Sequence, residues 1–111
     1  MPHSPTPKQP ARIITLVQFP LPAGTTLAQA AERFRETAPK YQKKQGLLAK
    51  HYVFRDGYGG AVYLWESRAA AEALFTPEWQ AFIRDRYGAD PVITWFDNPV
   101  TVDNMRGEIH S

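Results

Sequence analysis

The chain contains no cysteine, and only two of its 111 residues are methionine. The absence of cysteine excludes disulfide bonds, thiolate nucleophiles and cysteine-ligated metal sites. No apolar run approaches the roughly 20 residues that a membrane span requires, and the N-terminus lacks the apolar core of a signal peptide. These absences predict a cytoplasmic protein with no membrane partner.

The net charge is also small: the chain has 13 Lys and Arg residues and 11 Asp and Glu residues, which gives a formal net charge of +2. Such a balance does not require a nucleic-acid partner. The length predicts one domain. Residues 1–11, which hold four of the ten prolines, predict a disordered N-terminal arm. We therefore expect a folded domain over residues 12–104 and a frayed C-terminal tail over residues 105–111.

A mostly apolar run over residues 61–66, preceded by two glycines, predicts a central strand that leads into a helix capped by Ser67. Polar and apolar residues do not alternate here, so both faces of the strand are expected to be covered. The run over residues 12–19, which ends at Pro20, is a second strand without a polar side.

The other elements follow from caps and breakers. Thr25 and Thr26 begin a helix with an apolar stripe from Leu27 to Tyr41, and Pro39 is expected to end or kink it near Ala38. Further elements are a polar link over residues 40–46, a strand over 47–55, a helix over 68–75 that restarts at Thr76 and closes at Gly88, and strands over 92–97 and 100–103. The lysines of the link form either a solvated turn or a rim that attracts an anionic ligand.

The strand over residues 47–55 is predicted to return as a hairpin through a turn over residues 56–60. If Arg55 faces Gly60, Tyr52 lies opposite Tyr63 and Lys50 opposite Trp65. One face then carries Lys50, Tyr52, Phe54, Tyr63 and Trp65, and the other carries Ala49, His51, Val53, Val62 and Leu64. A slip of one residue would bring His51 and Val53 onto the Tyr63 face instead. We favour the first register because it gathers the aliphatic residues where helices pack.

Strand, helix, strand, strand, helix, strand is the order of an α+β, ferredoxin-like βαββαβ fold with an antiparallel four-stranded sheet. Both helices of this fold lie on one face of the sheet. Because the strands are apolar on both sides, something must cover the open face. A second copy of the chain would do so, with the two sheets closing face to face in a homodimer.

Several segments resemble the YdhR-like monooxygenases of the dimeric α+β barrel superfamily, which includes the antibiotic-biosynthesis monooxygenases. They are the run GAVYLWESR at residues 60–68, AAEA at 70–73, TPEW at 76–79, FDNPV at 96–100, VDN at 102–104, and GLL at 46–48 followed by Lys50. The resemblance covers roughly residues 12–104. It implies a ferredoxin-like homodimer with a pocket between sheet and helices. It also implies oxidation of aromatic substrates by oxygen without a metal or prosthetic group; other relatives degrade haem.

A cofactor-free oxygenase needs a base beside a dry, aromatic-lined cavity. Lys50 and Tyr63 are the candidate catalytic residues, because a desolvated lysine becomes a base near neutral pH. The candidate substrate-binding residues are Tyr52 and Trp65 on the sheet and Trp79 and Phe82, which close the wall from the helix side. The alternative is that these aromatic residues are ordinary core and that Lys50 reaches water along its stem.

His51 is the one histidine inside a predicted element, either a structural residue or an alternative base or haem ligand. Scattered carboxylates predict no metal site, and the resemblance implies a reaction without a cofactor. Ser67 is better explained as a helix cap than as a nucleophile, and no basic-aromatic signature for RNA accompanies Tyr63. The sequence therefore predicts a cofactor-independent monooxygenase that oxidises or binds an aromatic small molecule. The alternatives are a non-catalytic small-molecule-binding or assembly protein of the same fold, and a haem-binding or haem-degrading protein.

Overall fold

A computed structural model describes residues 11–111, so the predicted N-terminal arm, except for Ala11, lies outside the described residues. The strands are β1 (Arg12–Pro20), β2 (Leu47–Arg55), β3 (Tyr58–Trp65), β4 (Val92–Asn98), β5 (Thr101–Asp103) and β6 (Glu108–His110). The helices are α1 (Leu27–Tyr41), α2 (Arg68–Leu74) and α3 (Pro77–Tyr87).

The main sheet has four antiparallel strands in the order β2-β3-β1-β4. The two central strands, β1 and β3, are the two that the sequence predicts to be apolar on both faces. This strand order and the βαββαβ connectivity fit a ferredoxin-like fold. The predicted α+β class and four-stranded antiparallel sheet are confirmed.

Helix boundaries agree well with the predicted caps. Thr26 begins α1 with a capping box, in which its hydroxyl accepts from the backbone of Gln29 and the Gln29 side chain accepts from the backbone of Thr26. Thr76 caps α3 and Pro77 occupies its first turn, while Gly88 ends it in the left-handed conformation that glycine adopts without strain. No helix within residues 11–111 combines the length and hydropathy needed to cross a bilayer.

Helix α1 does not end near Ala38, as Pro39 predicts, but continues to Tyr41. The missing N–H of Pro39 removes one hydrogen bond of the last turn, and the turn is still closed by the backbone N–H of Gln42, which donates to the Ala38 carbonyl at 3.2 Å. Burial of the Tyr41 side chain adds tertiary contacts to the same turn. Tertiary packing therefore outweighs the helix-breaking tendency of proline here.

The β2–β3 hairpin has a tighter turn than predicted. Only Asp56 and Gly57 lie between the strands, and Arg55 pairs with Tyr58, so Lys50 lies opposite Tyr63 instead of Trp65. The predicted register is thus wrong by two residues. Side chains alternate with a period of two, so the predicted membership of each face is nevertheless correct, and the one-residue slip is excluded. An irregularity between Leu47 and Ala49 shifts the pairing at the start of β2.

The helices pack on the aromatic face of the sheet, not on the aliphatic face that the favoured register assigned to them. The ring of Tyr87 on α3 stacks on Phe19 of β1 at 4.3 Å, and the Tyr41 ring meets Tyr63 edge-on at 6.3 Å. Large rings fill the gap between helix and sheet with more buried area than valine or alanine would supply. The aliphatic side chains of β2 and β3 consequently point to the open face.

Residues 105–111 do not form the frayed tail that their polarity predicts. Strand β6 pairs antiparallel with β5, with Thr101 opposite His110 and Asp103 opposite Glu108. The turn between them is closed by Asp103 Oδ1, which accepts from the backbone N–H groups of Met105 and Arg106. This hairpin forms a separate two-stranded sheet.

Candidate functional site

A cavity lies between the main sheet and helices α1 and α3. Aromatic side chains from both layers line it: Phe19, Phe34, Tyr41, Tyr52, Tyr63, Trp79, Phe82 and Tyr87. Lys50 is the only residue with an amine or carboxyl group among the described residues of this wall. The centre of a water molecule can occupy about 20 Å³ of this cavity, so the cavity has room for about one water.

The Lys50 amine sits within a cage of tyrosine rings. Its Nζ atom lies 3.2 Å from the ring centroid of Tyr41, 4.1 Å from that of Tyr52 and 4.7 Å from that of Tyr63. None of the ion pairs found within residues 11–111 involves Lys50. Burial, and secondly the positive charge of Lys40, lowers the pKa of Lys50 from 10.5 to about 6. Near neutral pH a substantial fraction of this side chain is therefore a neutral amine.

Two effects on this amine oppose each other. The faces of aromatic rings attract an ammonium ion, by about 2 kcal/mol for a desolvated pair, which favours the charged form of Lys50. The lowering of its pKa from 10.5 to about 6 corresponds to about 6 kcal/mol against the charged form. Desolvation is the larger effect, so the rings surround an amine whose pKa lies well below 10.5.

Tyr63 is 2% exposed and lines the cavity. Burial and the nearby Tyr41 and Tyr52 raise the pKa of Tyr63 far above that of a free phenol. Burial likewise raises the pKa of Tyr41, against the opposing effect of the hydrogen bond from Trp79. Tyr63 thus remains a neutral phenol, which donates a hydrogen bond and does not act as a base.

Trp65 does not line the cavity. It is fully buried, and its indole N–H donates a 3.0 Å hydrogen bond to Thr15 Oγ1 on the neighbouring strand. Its ring stacks on Tyr63 with 5.6 Å between centroids and an interplanar angle of 7°. The structure places Trp65 behind Tyr63, where it supports the cavity wall from the core side.

Helix α3 contributes both of its predicted residues to the cavity. Trp79 and Phe82 line the wall opposite the sheet, with Trp79 almost fully buried. The Trp79 indole N–H donates a 2.9 Å hydrogen bond to Tyr41 Oη. Phe82 carries the Lys40 ammonium over its ring, with Nζ 3.8 Å from the centroid. Lys40 is exposed to solvent while its ammonium packs over this ring, so a solvated turn and a rim that attracts an anionic ligand both remain open as interpretations of this link.

A groove on the protein surface adjoins the cavity. Tyr41, Lys50 and Tyr52 line both the cavity and this groove, which has a volume of about 350 Å³ and also contacts Lys43 and Leu48. The Tyr52 hydroxyl forms a 2.9 Å hydrogen bond with Thr37 Oγ1 on α1. Three side chains thus separate an aromatic interior from a wider external groove.

Sequence reasoning missed Tyr41 and Phe34 as cavity residues, although both belong to the predicted apolar stripe of α1. The stripe indicated that they face the sheet. It did not indicate that their rings leave a gap at Lys50, because that depends on how two helices meet above the strands. The signal available in the sequence was the spacing of Phe34 and Tyr41, two turns apart on one helix face.

His51 lies outside this site. It is opposite Val62 in the hairpin and is exposed on the open face of the sheet, whereas its neighbours Lys50 and Tyr52 point toward the helices. Alternation along the strand separates them. The cavity therefore receives no ligand or base from His51.

Within residues 11–111, one group of side chains has the composition of a metal site. Asp103, Glu108 and His110 on the β5–β6 hairpin bring their ligand atoms within 4.8 Å of one another. Internal contacts account for the group, since His110 Nε2 lies 3.1 Å from Glu108 Oε1 and Asp103 closes the turn. The sequence pattern does not predict this group, because it indicates a frayed tail over residues 105–111. A frayed tail would not hold Glu108 and His110 near Asp103.

Comparison with known proteins identifies the fold but no activity. No protein-family model matches the chain, and a search of curated proteins finds no significant match. Among solved structures, the chain is similar to NE2512, a protein of unknown function from Nitrosomonas europaea. The two share 15% sequence identity with a TM-score of 0.64, over 79% of this chain and 89% of the other. At this level of identity the similarity establishes the fold alone.

Proposed function

We propose that the protein is a cofactor-independent monooxygenase that acts on a small aromatic molecule carrying an acidic O–H or C–H group. One observation carries this proposal: an amine that forms no ion pair within residues 11–111, with a pKa of about 6, lies among three tyrosine rings in an apolar cavity. A general base is most effective when its pKa lies near the working pH.

In this reaction the neutral Lys50 amine removes the acidic proton of the substrate and becomes an ammonium ion. The Tyr63 hydroxyl, kept protonated by its burial, donates a hydrogen bond to the resulting enolate or phenolate oxygen. The electron-rich anion reduces O₂. One oxygen atom enters the ring as a carbonyl oxygen, and the other leaves as water with two hydrogens of the substrate: the acidic one that Lys50 removes and one that is lost from the oxidised carbon.

Entry of the substrate is expected through the external groove. The internal cavity has room for about one water, which is also the scale of dioxygen, whereas the groove has room for an aromatic ring. Lys50 and Tyr52 line both spaces. The ring would therefore bind in the groove, with its anionic oxygen directed past Lys50 into the interior that Tyr63 lines.

We further propose that the protein is a homodimer with the open sheet faces packed together, as in a dimeric α+β barrel. The open face carries Val62 and Leu64 at its centre, half-buried in one chain, with Phe96 49% and Val92 63% exposed on β4. A contact of about 800 Å² per partner would bury apolar area worth about 20 kcal/mol before association costs are subtracted. A second copy presents the same apolar surface, so the two faces are chemically matched.

Oxygen uptake tests the monooxygenase proposal. Purified protein is incubated with aromatic hydroquinones in ¹⁸O₂, and the product is examined for label by mass spectrometry. We expect uptake with one labelled oxygen per product, a loss of about a hundredfold in Lys50→Met and a smaller loss in Tyr63→Phe. Tyr58→Phe is the matched control, since Tyr58 lies at the exposed start of β3. Saturable binding of the hydroquinone without uptake would instead support the non-catalytic binding protein.

A further inference from the structure

We propose that Lys50 is also a nucleophile that forms an imine with a small carbonyl compound, with a preference for one that carries a carboxylate. This inference rests on the same unpaired amine as the proposed function, but it involves no oxygen and no oxidation. Either reaction can therefore occur without the other, and the two proposals can be tested separately.

A nucleophilic amine needs a free lone pair and a path for its reactant. No hydrogen bond joins Lys50 Nζ to another side chain or carbonyl within residues 11–111, so its lone pair is not engaged there. In the same part of the chain no side-chain nitrogen or oxygen is both buried and without a partner, so Nζ retains contact with accessible space. The external groove, which Lys50 also lines, provides the path.

The surroundings of the amine favour the uncharged form. The titratable and charged groups around it are Lys40 and Tyr41 from α1, Tyr52 from β2, Tyr63 from β3, and Arg86 and Tyr87 from α3. No carboxylate is among the described residues of the cavity wall. A lysine that is desolvated and close to a second cation is activated as a nucleophile toward carbonyl groups. Both conditions hold for Lys50.

Condensation balances without any further reactant. The Lys50 nitrogen bonds to the carbonyl carbon as the C=O π bond breaks, and a proton moves from nitrogen to the carbonyl oxygen to give a carbinolamine. Loss of one water then forms the C=N bond. The hydroxyl of Tyr63, whose ring centroid lies 4.7 Å from Lys50 Nζ, remains protonated and supplies a proton donor for the departing oxygen. The small interior limits the substituents on the carbonyl carbon.

Lys40 supplies the preference for a carboxylate. Its ammonium lies over the Phe82 ring on the cavity wall, is exposed to solvent, and contributes to lowering the pKa of Lys50. None of the ion pairs within residues 11–111 involves Lys40 either. A cation at this position attracts an anionic group on the reactant while the neutral amine attacks the carbonyl carbon. Small oxo acids match this arrangement better than neutral aldehydes.

Reductive trapping tests the proposal. The protein is incubated under nitrogen with glyoxylate or acetaldehyde and cyanoborohydride, and modified lysines are located by peptide mass spectrometry. We expect Lys50 to be modified at least about tenfold faster than Lys43 and Lys44 at pH 7, because neither of those lysines lines the cavity. Glyoxylate should be the faster of the two reagents at Lys50.

Three variants make the result specific. Lys50→Met should lose the preferred modification, and Lys44→Met, the matched control, should retain it at Lys50. Lys40→Gln should remove the advantage of glyoxylate over acetaldehyde. Equal labelling of the three lysines in protein shown by circular dichroism to be folded would overturn the proposal. Lys50 labelling without oxygen uptake would overturn only the oxygenase function, and uptake without labelling would overturn only the imine.

Discussion

The indole N–H of Trp79 donates a 2.9 Å hydrogen bond to the Tyr41 hydroxyl, and both side chains are buried. This bond joins the first turn of α3 to the last turn of α1. It also holds the Tyr41 ring in place beneath the Lys50 amine, 3.2 Å from the ring centroid. One contact between two helices thus supports the most unusual group in the cavity.

Tyr41→Phe should destabilise the protein by about 1–3 kcal/mol, because the Trp79 indole N–H would be left buried without an acceptor. Urea denaturation measures the change in the free energy of unfolding. Tyr58→Phe removes the same hydroxyl from an exposed site and should change stability by less than about 0.5 kcal/mol. Equal effects in the two variants would show that the Tyr41–Trp79 bond contributes nothing.

The stability of the protein should rise with pH between 6 and 9. The pKa of Lys50 is about 6 in the folded chain and near 10.5 when unfolded, so the unfolded chain binds more protons in this interval. The free energy of unfolding should increase by up to about 1.4 kcal/mol per pH unit. Buried tyrosines, whose pKa values are raised, do not contribute below pH 9.

Lys50→Met tests this pH dependence directly. The variant keeps an unbranched side chain of similar length and removes the amine, so its free energy of unfolding should be higher at pH 6 and nearly flat up to pH 9. Lys44→Met serves as the control and should keep the slope of the parent protein. A slope that persists unchanged in Lys50→Met would mean that another group is responsible.

Gly60→Ala should prevent stable folding. A Cβ atom at Gly60 would lie 1.8 Å from the Val17 carbonyl oxygen, which belongs to the backbone of the adjacent strand and cannot yield without breaking the pairing of β1 with β3. We expect a loss of more than about 4 kcal/mol, the range of severe core disruptions. Thermal unfolding followed by circular dichroism measures it.

Gly57→Ala is the matched control for Gly60→Ala. Gly57 has φ of +85° but nothing within 4 Å of an added Cβ, so the cost should be only the strain of a left-handed alanine, about 1–2 kcal/mol. A Gly60→Ala protein as stable as Gly57→Ala would contradict the close approach of β3 to β1.

Val62→Lys should convert the proposed dimer to monomers. Val62 lies on β3, at the centre of the open sheet face, and a lysine there would place two like charges at the centre of the interface. Sedimentation velocity should show half the parent mass. Leu27→Lys, at an exposed aliphatic position on α1, should leave the mass unchanged. If the parent protein sediments as a monomer at all concentrations, the proposed dimer is contradicted.

Most of the fold follows from local signals. Thr26, Ser67 and Thr76 are predicted as caps, and each has its side chain bonded to the backbone N–H three residues later. Such signals act within four residues of sequence, so they are visible in the chain itself. Of the errors, only that at Pro39 is decided by distant contacts, through the burial of Tyr41. The shift of the first hairpin and the pairing of β6 with β5 depend on turns that are local in sequence.

The candidate site divides in the same way. Alternation along β2 and β3 is enough to predict that Lys50, Tyr52 and Tyr63 share one face, because strand side chains repeat with a period of two whether or not the register is shifted by two. Trp65 shares that face, yet it does not reach the cavity, since Thr15 on β1 holds its indole. The pairing of β1 with β3 determines this position of the Trp65 side chain, and no sequence pattern within β3 predicts it.

The amino-acid sequence alone determined the order of the elements, their caps and the two faces of the hairpin, because these depend on backbone geometry and near neighbours. Only the tertiary structure decided which face the helices cover and how deeply Lys50 is buried. The pKa of Lys50 depends on the exclusion of water from its surroundings and on the positive charge of Lys40. Desolvation is a property of the assembled layers, and therefore the chemistry at Lys50 exists only once the helices have closed over the sheet.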